Sequence, residues 1–206
     1  NHEVKDSYSF DVIATDNGNL TDTKGVTVSV SDVNEAPTIS TGTTGSVAEN
    51  AAASTVIYDA AASDVDAGDG ITFSVAGADS SLVSIDPSSG EVTLDSSANH
   101  EVKDSYSFDV IATDNGSLTD TQPVTISVTD VNEAPSISTG ATGSVDENAA
   151  QSTVVYSAVA SDVDAGDSIT FSVDGTDKDL VSISSSGEVT LDSSANHEVK
   201  DTYSFD

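Results

Sequence analysis

The chain repeats its own sequence with a period close to 98 residues, and this repeat restricts the fold more than any other feature. The segment at residues 1–23 returns at 99–121 with one change, and its opening returns again from Asn196. Equivalent aspartates lie at Asp32 and Asp130, so the period is 130 − 32 = 98 residues. Solenoid repeats are about 20–50 residues long, whereas this period suffices for a small domain. The sequence therefore predicts a tandem array of small domains.

The boundary between repeats is predicted at a Glu-Ala-Pro sequence, which occurs at Glu35-Ala36-Pro37 and again at Glu133-Ala134-Pro135. Proline ends a preceding strand and stiffens the joint that follows it. The predicted parts are the C-terminal part of one repeat (1–35), a complete repeat (36–133) and the N-terminal part of a further repeat (134–206).

Within the complete repeat, apolar and polar residues alternate with a period of two, which is typical of strands with one buried face. In the longest run, Tyr106, Phe108 and Val110 alternate with polar residues, so the aromatic side chains are expected to point into a core. Shorter strand segments are predicted at 47–50, 55–60, 71–75, 82–85, 91–94 and 124–128. About seven short strands per hundred residues is the number expected of an all-β, Greek-key immunoglobulin-like sandwich.

The composition excludes several classes of function. The formal net charge is −31, from 36 acidic residues and 5 basic ones, so nucleic acid is not an expected partner. No run of 18 apolar residues is present, so membrane insertion is not expected. The chain has no cysteine, which excludes disulfides and thiolate metal sites. It also lacks phosphate-loop and nucleophile motifs, so an enzyme is not expected.

Carboxylates concentrate at the predicted strand ends of the complete repeat. These residues are Glu49, Asp64, Asp66, Glu101, Asp114, Asp130 and Glu133. Crowded like charges repel one another and destabilise a fold unless a cation lies among them. Hard oxygen ligands without His or Cys partners favour Ca²⁺, which accepts six to eight oxygens in flexible geometry. The sequence therefore predicts bound Ca²⁺.

Other polar residues are interpreted without a metal. Asp59, Asp79, Asp104 and Asp177 are assigned to the solvated surface. The spacing Asp64-x-Asp66-x-x-Asp69 resembles the start of an EF-hand loop, but the twelfth position is Val75 instead of Glu, which excludes that motif. The three histidines, His2, His100 and His197, are one position seen three times and are predicted to be exposed in a loop.

The ordered acidic motifs resemble those of the cadherin-like repeats of bacterial surface proteins and, more distantly, of animal cadherin ectodomains. Val47-Ala48-Glu49-Asn50 stands at the strand-A glutamate of that family, and Asn99-His100-Glu101 stands at its DRE-type motif. Asp130-Val131-Asn132-Glu133-Ala134-Pro135 stands at the DxNDNAP linker, with Glu133 for Asp and Ala134 for Asn. Asp162-Val163-Asp164 matches the DxD motif.

In that family Ca²⁺ lies between successive domains, so the resemblance implies one set of ligands for each junction between repeats. The first-junction set is Glu3, Asp32, Asn34, Glu35, Asp64, Asp66 and Asp114. Asn1 stands at a weak position, which means that it matches the family motif only through its amide oxygen. The second-junction set is Glu49, Glu101, Asp130, Asn132, Glu133, Asp162 and Asp164, with Asn99 at the weak position. The six carboxylates of the second-junction set would balance the charge of three Ca²⁺ ions, and the number of ions is left open.

The resemblance also implies a function and a location. The expected function is a calcium-stiffened structural spacer of a long extracellular adhesin or bacterial cell-surface filament, as in a biofilm, with neighbouring repeats as its partners. The alternative is a recognition module for cell–cell contact between like chains or for cell-surface polysaccharide. Near-identical repeats favour the spacer, because a binding site usually makes one repeat atypical.

The ends of the chain suggest a longer array. The first residue is Asn1, and the last residue lies within the strand equivalent to Tyr106–Asp114. We therefore expect a section of a longer array. The alternative is that residues 1–31 of a neighbouring chain complete the third repeat.

Overall fold

The structure is a computed structural model that describes all residues from Asn1 to Asp206. The fold is all-β, and its only helical turns are 3-10 turns at Ser80–Leu82 and Lys178–Leu180. The residues form two compact units, Asn1–Asp130 and Val131–Asp206.

The first unit contains eleven strands. In chain order they are β1 (Ser7–Thr15), β2 (Thr21–Ser29), β3 (Thr38–Ile39), β4 (Thr44–Ala48), β5 (Val56–Asp59), β6 (Ala62–Ser63), β7 (Thr72–Ala76), β8 (Val83–Ile85), β9 (Glu91–Leu94), β10 (Ser105–Thr113) and β11 (Thr119–Thr129). Strands β1 and β2 form an antiparallel hairpin. A four-stranded sheet, in the order β4-β11-β10-β7, packs on a three-stranded sheet, β5-β9-β8, and β3 pairs with β6.

The core of the first unit lies between these two sheets, as the alternating sequence predicts. Val92, Val110 and Ile126 are completely buried, and Phe108 is 2% exposed. Complete burial of one such side chain contributes about 1.5–3 kcal/mol. Strand β4 lies parallel to β11, and Gly45 permits their close approach, because a Cβ atom there would lie 2.8 Å from Cδ1 of Ile126. The sandwich predicted for the complete repeat is confirmed.

The second unit contains five strands and a smaller core. The strands are β12 (Ser136–Ile137), β13 (Val154–Ser157), β14 (Ala160–Ser161), β15 (Val181–Ile183) and β16 (Glu188–Leu191). Strands β13, β16 and β15 form one sheet, and β12 pairs with β14. The buried core residues are Val181, Val189, Leu191 and Ala195. Residues 142–146 and 170–174, which are equivalent to β4 and β7, are not in strands.

The hairpin β1–β2 has almost the same sequence as β10–β11 but a different environment. Tyr106 and Phe108 of β10 are 5% and 2% exposed, whereas the equivalent Tyr8 and Phe10 of β1 are 48% and 51% exposed. The prediction that the aromatic residues of the complete repeat point into a core is therefore confirmed for β10, whereas the equivalent residues of β1 are about half-exposed. The first unit provides no second sheet for the hairpin to cover.

Two aspartates assigned to the solvated surface instead bind other segments of the chain through hydrogen bonds and ion pairs. The assignment is therefore wrong for them. Asp79 Oδ2 accepts a hydrogen bond from Ser107 N at 2.7 Å, and its Oδ1 lies 2.9 Å from Lys103 Nζ. These contacts hold the pKa of the Asp79 carboxyl below its usual value, the Ser107 hydrogen bond most strongly. The equivalent Asp177 in the second unit is only 7% exposed and lies 2.8 Å from Lys200 Nζ.

Replacing Asp79 with alanine should lower the free energy of unfolding of the first unit by about 1.5–3 kcal/mol, because hydrogen bonds to a charged group are lost. Since the folded state lowers this pKa, the contribution is complete above the unfolded pKa of about 3.9 and is lost as the pH falls through the folded pKa. Urea unfolding at several pH values measures it. Asp104→Ala is the control, because Asp104 is exposed and its side chain accepts a bond from Ser105 Oγ. Equal losses of unfolding free energy in the two variants would contradict the stabilising role of Asp79.

Candidate metal centre

The first-junction set lies entirely within the first unit and comes from four segments of the chain. Glu3 precedes β1; Asp32, Asn34 and Glu35 follow β2; Asp64 and Asp66 lie between β6 and β7; Asp114 follows β10. The structure brings these segments together as two linked groups of carboxylates. Strand ends position every member, which is why residues up to about 110 positions apart meet.

The first group contains the carboxylates of Glu3, Asp32, Glu35 and Asp66, whose nearest oxygens all lie within 4.8 Å of one another. The backbone N–H of Glu35 donates to Asp66 Oδ2 at 2.8 Å. This bond ties the segment after β2 to the loop between β6 and β7. The group therefore joins the hairpin to the sandwich.

The second group contains Asp64, Asp69 and Asp114, again with oxygens within 4.8 Å of one another. Asn34 Nδ2 donates to Asp114 Oδ2 at 2.7 Å, and the N–H of Leu118 donates to Asp114 Oδ1 at 2.7 Å. Asp114 is only 6% exposed, so its two oxygens are fixed in a buried position. The N–H of Asp66 donates to Asp64 Oδ1 at 2.9 Å, which links the two groups.

Three carboxylate oxygens at this end of the sandwich are buried and accept no hydrogen bond. They are Asp64 Oδ2, Asp66 Oδ1 and Asp69 Oδ2. A buried anionic oxygen without a partner destabilises a fold, whereas a coordinated cation removes that cost. The donors are carboxylate and amide oxygens, which are the ligands that Ca²⁺ prefers. The residues present therefore fit Ca²⁺.

The electrostatics of the first group agree with a cation site. Burial raises the pKa of the Glu35 carboxyl, and the neighbouring carboxylates of Glu3, Asp66 and Asp32 raise that pKa further. These neighbouring negative charges make the Glu35 carboxyl harder to ionise. A divalent cation among them would reverse that effect, because it stabilises the charged form of every ligand.

Asp69 is a member of the site that the sequence analysis did not include. The loop turns at Gly68, whose φ of +99° favours glycine, and Asp69 N donates to Asp66 O at 3.2 Å. This turn brings the Asp69 side chain back toward Asp64 and Asp114. The signal was the full string DVDAGD, which occurs at 64–69 and again at 162–167.

The second-junction set is divided between the two units. In the first unit, Glu49 is 3% exposed and its Oε2 accepts a bond from His100 N at 3.1 Å, while Glu101 and Asp130 lie beside the His100 ring. The remaining members, in the second unit, are Asn132, Glu133, Asp162 and Asp164.

Within the second unit these residues repeat the local arrangement of the first-junction set. Glu133 N donates to Asp164 Oδ2 at 2.7 Å, as Glu35 N does to Asp66 Oδ2. Asp164 N donates to Asp162 Oδ1 at 3.2 Å, and Asp164 Oδ1 is buried without a hydrogen bond. The same local chemistry therefore occurs twice.

The weak positions and the histidines have local roles. Asn99 Oδ1 accepts a bond from Val102 N at 2.8 Å, and Asn1 Oδ1 accepts one from Val4 N, so both amides cap a turn. His100 is only half-exposed, with Nδ1 3.5 Å from Glu101 Oε1, and His2 is similar beside Glu3 and Asp32. All three histidines lie in turns, as predicted; His197 is exposed as expected, whereas His2 and His100 are only partly exposed.

Comparison with known proteins agrees with this fold. Residues 43–129 match the family described as "Cadherin domain". Human protocadherin-1 is 31% identical over 217 residues, an alignment that covers 98% of this chain and 20% of that protein. The chain therefore spans about a fifth of the length of that relative.

Solved structures show the same architecture. The crystal structure of mouse cadherin-23 EC22-24 aligns with a TM-score of 0.68 and 28% identity, covering 96% of this chain and 68% of that one. The protocadherin gammaB7 EC3-6 cis-dimer structure aligns with a TM-score of 0.63 and 27% identity, covering 95% and 52%. The chain thus has a cadherin-like all-β fold, and residues 43–129 match the Cadherin domain.

Proteins with such domains act as extracellular repeats in adhesion, and no enzyme family is indicated. The relatives named above are animal proteins, so the bacterial origin inferred from the resemblance stays a prediction. No helix in the structure combines the length and the apolar character needed to cross a membrane.

Proposed function

We propose that this chain is a calcium-stiffened spacer in the extracellular part of an adhesive protein. The observation that supports this most directly is the first-junction set, where four chain segments place carboxylates in two groups, each with its nearest oxygens within 4.8 Å of one another. Three of the oxygens in this region are buried without hydrogen bonds. Such an end is unstable without a cation and rigid with one.

In this proposal each group of carboxylates holds Ca²⁺ with the residues that it already brings together. Glu3, Asp32, Glu35 and Asp66 form one ligand group, and Asp64, Asp69 and Asp114 form the other. Bound Ca²⁺ supplies the positive charge that removes the repulsion between these carboxylates. The chain's own contribution is positioning, because the bonds from Glu35 N and from Asn34 Nδ2 fix the linker against the loops.

We extend the proposal to the second-junction set, since its local hydrogen bonds repeat those of the first. The near-identical repeats support a long array in which every junction is alike. A bacterial cell-surface filament, as in a biofilm, is the setting that the motif resemblance suggests, and neighbouring repeats are the partners.

Homophilic recognition is the second candidate function. The observation that favours it is the similarity to protocadherin gammaB7, whose EC3-6 structure is a cis-dimer. Cell-surface polysaccharide is a further candidate ligand from the sequence analysis. The net charge of −31 disfavours contact between like chains at low ionic strength, so the spacer is the preferred proposal.

A distance measurement across the first junction tests stiffness directly. The chain contains no cysteine, so Thr23→Cys in β2 and Ser88→Cys in an exposed turn give one pair of spin-label sites. We expect a narrow distance distribution by double electron–electron resonance in Ca²⁺ and a broad one after chelation. The physical reason is that seven carboxylates repel one another when no cation lies among them.

The matched variants are Asp66→Ala, within the first-junction set, and Asp59→Ala, on the exposed edge of β5. Asp66→Ala should raise the Ca²⁺ concentration needed to narrow the distance distribution by at least about tenfold. This change corresponds to a loss of about 1.4 kcal/mol in Ca²⁺ binding free energy. Asp59→Ala should leave it unchanged. Distributions of equal width with and without Ca²⁺ would sink the spacer proposal.

A further inference from the structure

The open end of each long hairpin, opposite its connecting loop, carries a group of one histidine and two carboxylates. The two groups are His100, Glu101 and Asp130 in β10–β11, and His2, Glu3 and Asp32 in β1–β2. In each group, one ligand atom from every residue lies within 4.8 Å of the others. Ca²⁺ would use only the carboxylates, so the two imidazole rings have no role in the proposed calcium site.

In the complete repeat, a turn and the pairing of β10 with β11 assemble the group. The turn at residues 99–103 is closed by a backbone hydrogen bond of 2.9 Å between its first and last residues. Pairing continues beyond the strands, because Val128 N donates to Asp104 O at 2.8 Å. The chain that follows β11 therefore passes beside the turn, which brings Asp130 to the ring of His100.

The hairpin β1–β2 assembles its group in the same way. A backbone hydrogen bond of 3.1 Å closes the turn at residues 1–5, and Val30 N donates to Asp6 O at 2.7 Å beyond the paired strands. A sheet covers β10, whereas β1 is about half-exposed, yet the histidine and both carboxylates meet in each hairpin. The arrangement therefore follows from the hairpin itself and occurs at two independent places.

The distances within the groups are those of metal ligands. In both groups it is Nδ1 of the ring that faces the carboxylates. Its distances to the nearest carboxylate oxygens are 3.5 Å to Glu101 and 4.0 Å to Asp130 for His100, and 3.8 Å to Glu3 and 3.3 Å to Asp32 for His2. The ligand atoms of a tetrahedral Zn²⁺ ion, with bonds of about 2 Å, lie about 3.4 Å apart. Small movements of these side chains therefore suffice for coordination.

The donor set also distinguishes these groups from a calcium site. Ca²⁺ takes oxygen ligands, whereas an imidazole nitrogen suits Zn²⁺, Cu²⁺ and Ni²⁺. The side chain of His100 is 34% exposed and that of Asp130 is 55% exposed, so an ion can enter from solvent. A site with three protein ligands leaves the fourth tetrahedral position for water.

We propose that each of these groups binds a divalent transition-metal ion of the Zn²⁺ class through Nδ1 of the histidine and one oxygen of each carboxylate. In the complete repeat the ion ties the turn at 99–103 to the chain after β11. Glu101 and Asp130 also belong to the second-junction set, so Zn²⁺ and Ca²⁺ compete for them. That competition rests on the proposed calcium function, whereas the Zn²⁺ site itself does not.

Isothermal titration calorimetry with ZnCl₂ tests the site on the 206-residue chain, stripped of metal ions and dialysed free of chelator. His100→Gln should weaken Zn²⁺ binding at one site by at least about tenfold, because it removes a direct ligand. The backbone bond from residue 100 to Glu49 does not depend on this side chain. His2→Gln should weaken the other site, and the double variant should lose both.

Asp104→Asn is the matched control for Asp130→Asn. Both variants remove one negative charge from an exposed position at the open end of β10–β11, but only Asp130 belongs to the group. Asp130→Asn should weaken Zn²⁺ binding, and Asp104→Asn should leave it unchanged. Equal weakening by the two variants would overturn the proposal, since Zn²⁺ would then respond to net charge alone.

Nuclear magnetic resonance of the histidine rings identifies the binding atom. Long-range ¹H–¹⁵N correlation spectra distinguish Nδ1 from Nε2. Zn²⁺ should shift the Nδ1 signals of His100 and His2 more than their Nε2 signals, because Nδ1 faces the carboxylates in both groups. Histidine signals that do not change when Zn²⁺ is added would overturn the proposal, and so would larger shifts at Nε2.

Calcium titrations separate this proposal from the proposed function. His100→Gln should leave Ca²⁺ affinity unchanged, whereas Glu101→Gln should weaken the binding of both ions. In wild type, added Ca²⁺ should lower the apparent Zn²⁺ affinity. If Zn²⁺ binds through His100 but does not respond to Ca²⁺, the Zn²⁺ site stands and the calcium role of Glu101 and Asp130 fails. If wild type and both His→Gln variants bind Zn²⁺ equally, the Zn²⁺ site is wrong whatever Ca²⁺ does.

Discussion

Replacing Phe108 with alanine should lower the free energy of unfolding of the first unit by about 3–5 kcal/mol, whereas Phe10→Ala should change it by no more than about 0.5 kcal/mol. Phe108 is 2% exposed, and its ring packs edge-on against that of Tyr58 at a centroid distance of 6.5 Å. Phe10 is 51% exposed. The loss at Phe108 combines the transfer of the ring to water with the cavity that it leaves.

The comparison isolates tertiary packing, because the two phenylalanines share their local sequence. Both lie in the nine-residue strand sequence SYSFDVIAT, in β1 and in β10, and both pair across a hairpin with a valine. Intrinsic strand propensity and the effect of the substitution on the unfolded chain therefore cancel. What remains is the sheet β5-β9-β8, which covers Phe108 and has no equivalent over Phe10.

Urea unfolding followed by far-ultraviolet circular dichroism measures both changes, at a protein concentration low enough to keep the chain monomeric. Val12→Ala in β1 and Val110→Ala in β10 form a second matched pair, at 52% and 0% exposed. Similar costs for Phe10→Ala and Phe108→Ala would show that the hairpin is packed in solution, and would contradict the exposed face described for β1.

The same pair of strands shows how far the sequence could predict the fold. Alternation with a period of two correctly located β10 and β11, because this pattern depends only on neighbouring residues along a strand. It could not distinguish Tyr8 from Tyr106, since their local sequences are identical and only the presence of a covering sheet differs. Burial depends on the packing of the whole unit, so a local sequence pattern cannot predict it.

The acidic site was predictable to a similar extent. The order and spacing of the motifs selected Asp64, Asp66 and Asp114, which the structure brings together. Asp69 was missed because its position depends on a turn at Gly68 that a comparison with an EF-hand loop does not describe. Asp79 was assigned to solvent because its partners, Lys103 and Ser107, lie more than twenty residues away.

Asp69 provides the second large effect, a change of sign that depends on calcium. In chelator, Asp69→Asn should raise the melting temperature of the first unit, because it removes one charge from a group of carboxylates within 4.8 Å of one another and neutralises a buried oxygen without a partner. In excess Ca²⁺ the same variant should melt below the wild type, because it has lost a charged ligand.

The size of the calcium effect follows from binding to the folded state alone. One site contributes about 2.7 kcal/mol when Ca²⁺ is present at 100 times its dissociation constant, and the melting temperature then rises with the logarithm of Ca²⁺ concentration. For Asp69→Asn the melting temperature should begin to rise only at a higher Ca²⁺ concentration. NaCl should stabilise the chelated wild type more than the calcium-loaded one, because salt screens only the uncompensated charges.

Calorimetry of the wild type, Asp69→Asn and the exposed control Asp59→Asn, each in chelator and in Ca²⁺, distinguishes a metal ligand from an ordinary polar residue. A structural role for Asp69 predicts destabilisation in both conditions, and a solvated role predicts no change in either. A metal ligand that its neighbours repel in the absence of metal behaves differently from both. Its replacement stabilises the first unit in chelator and destabilises it in Ca²⁺. If Asp69→Asn shifts the melting temperature in the same direction with and without Ca²⁺, Asp69 does not bind the ion, and the second ligand group reduces to Asp64 and Asp114.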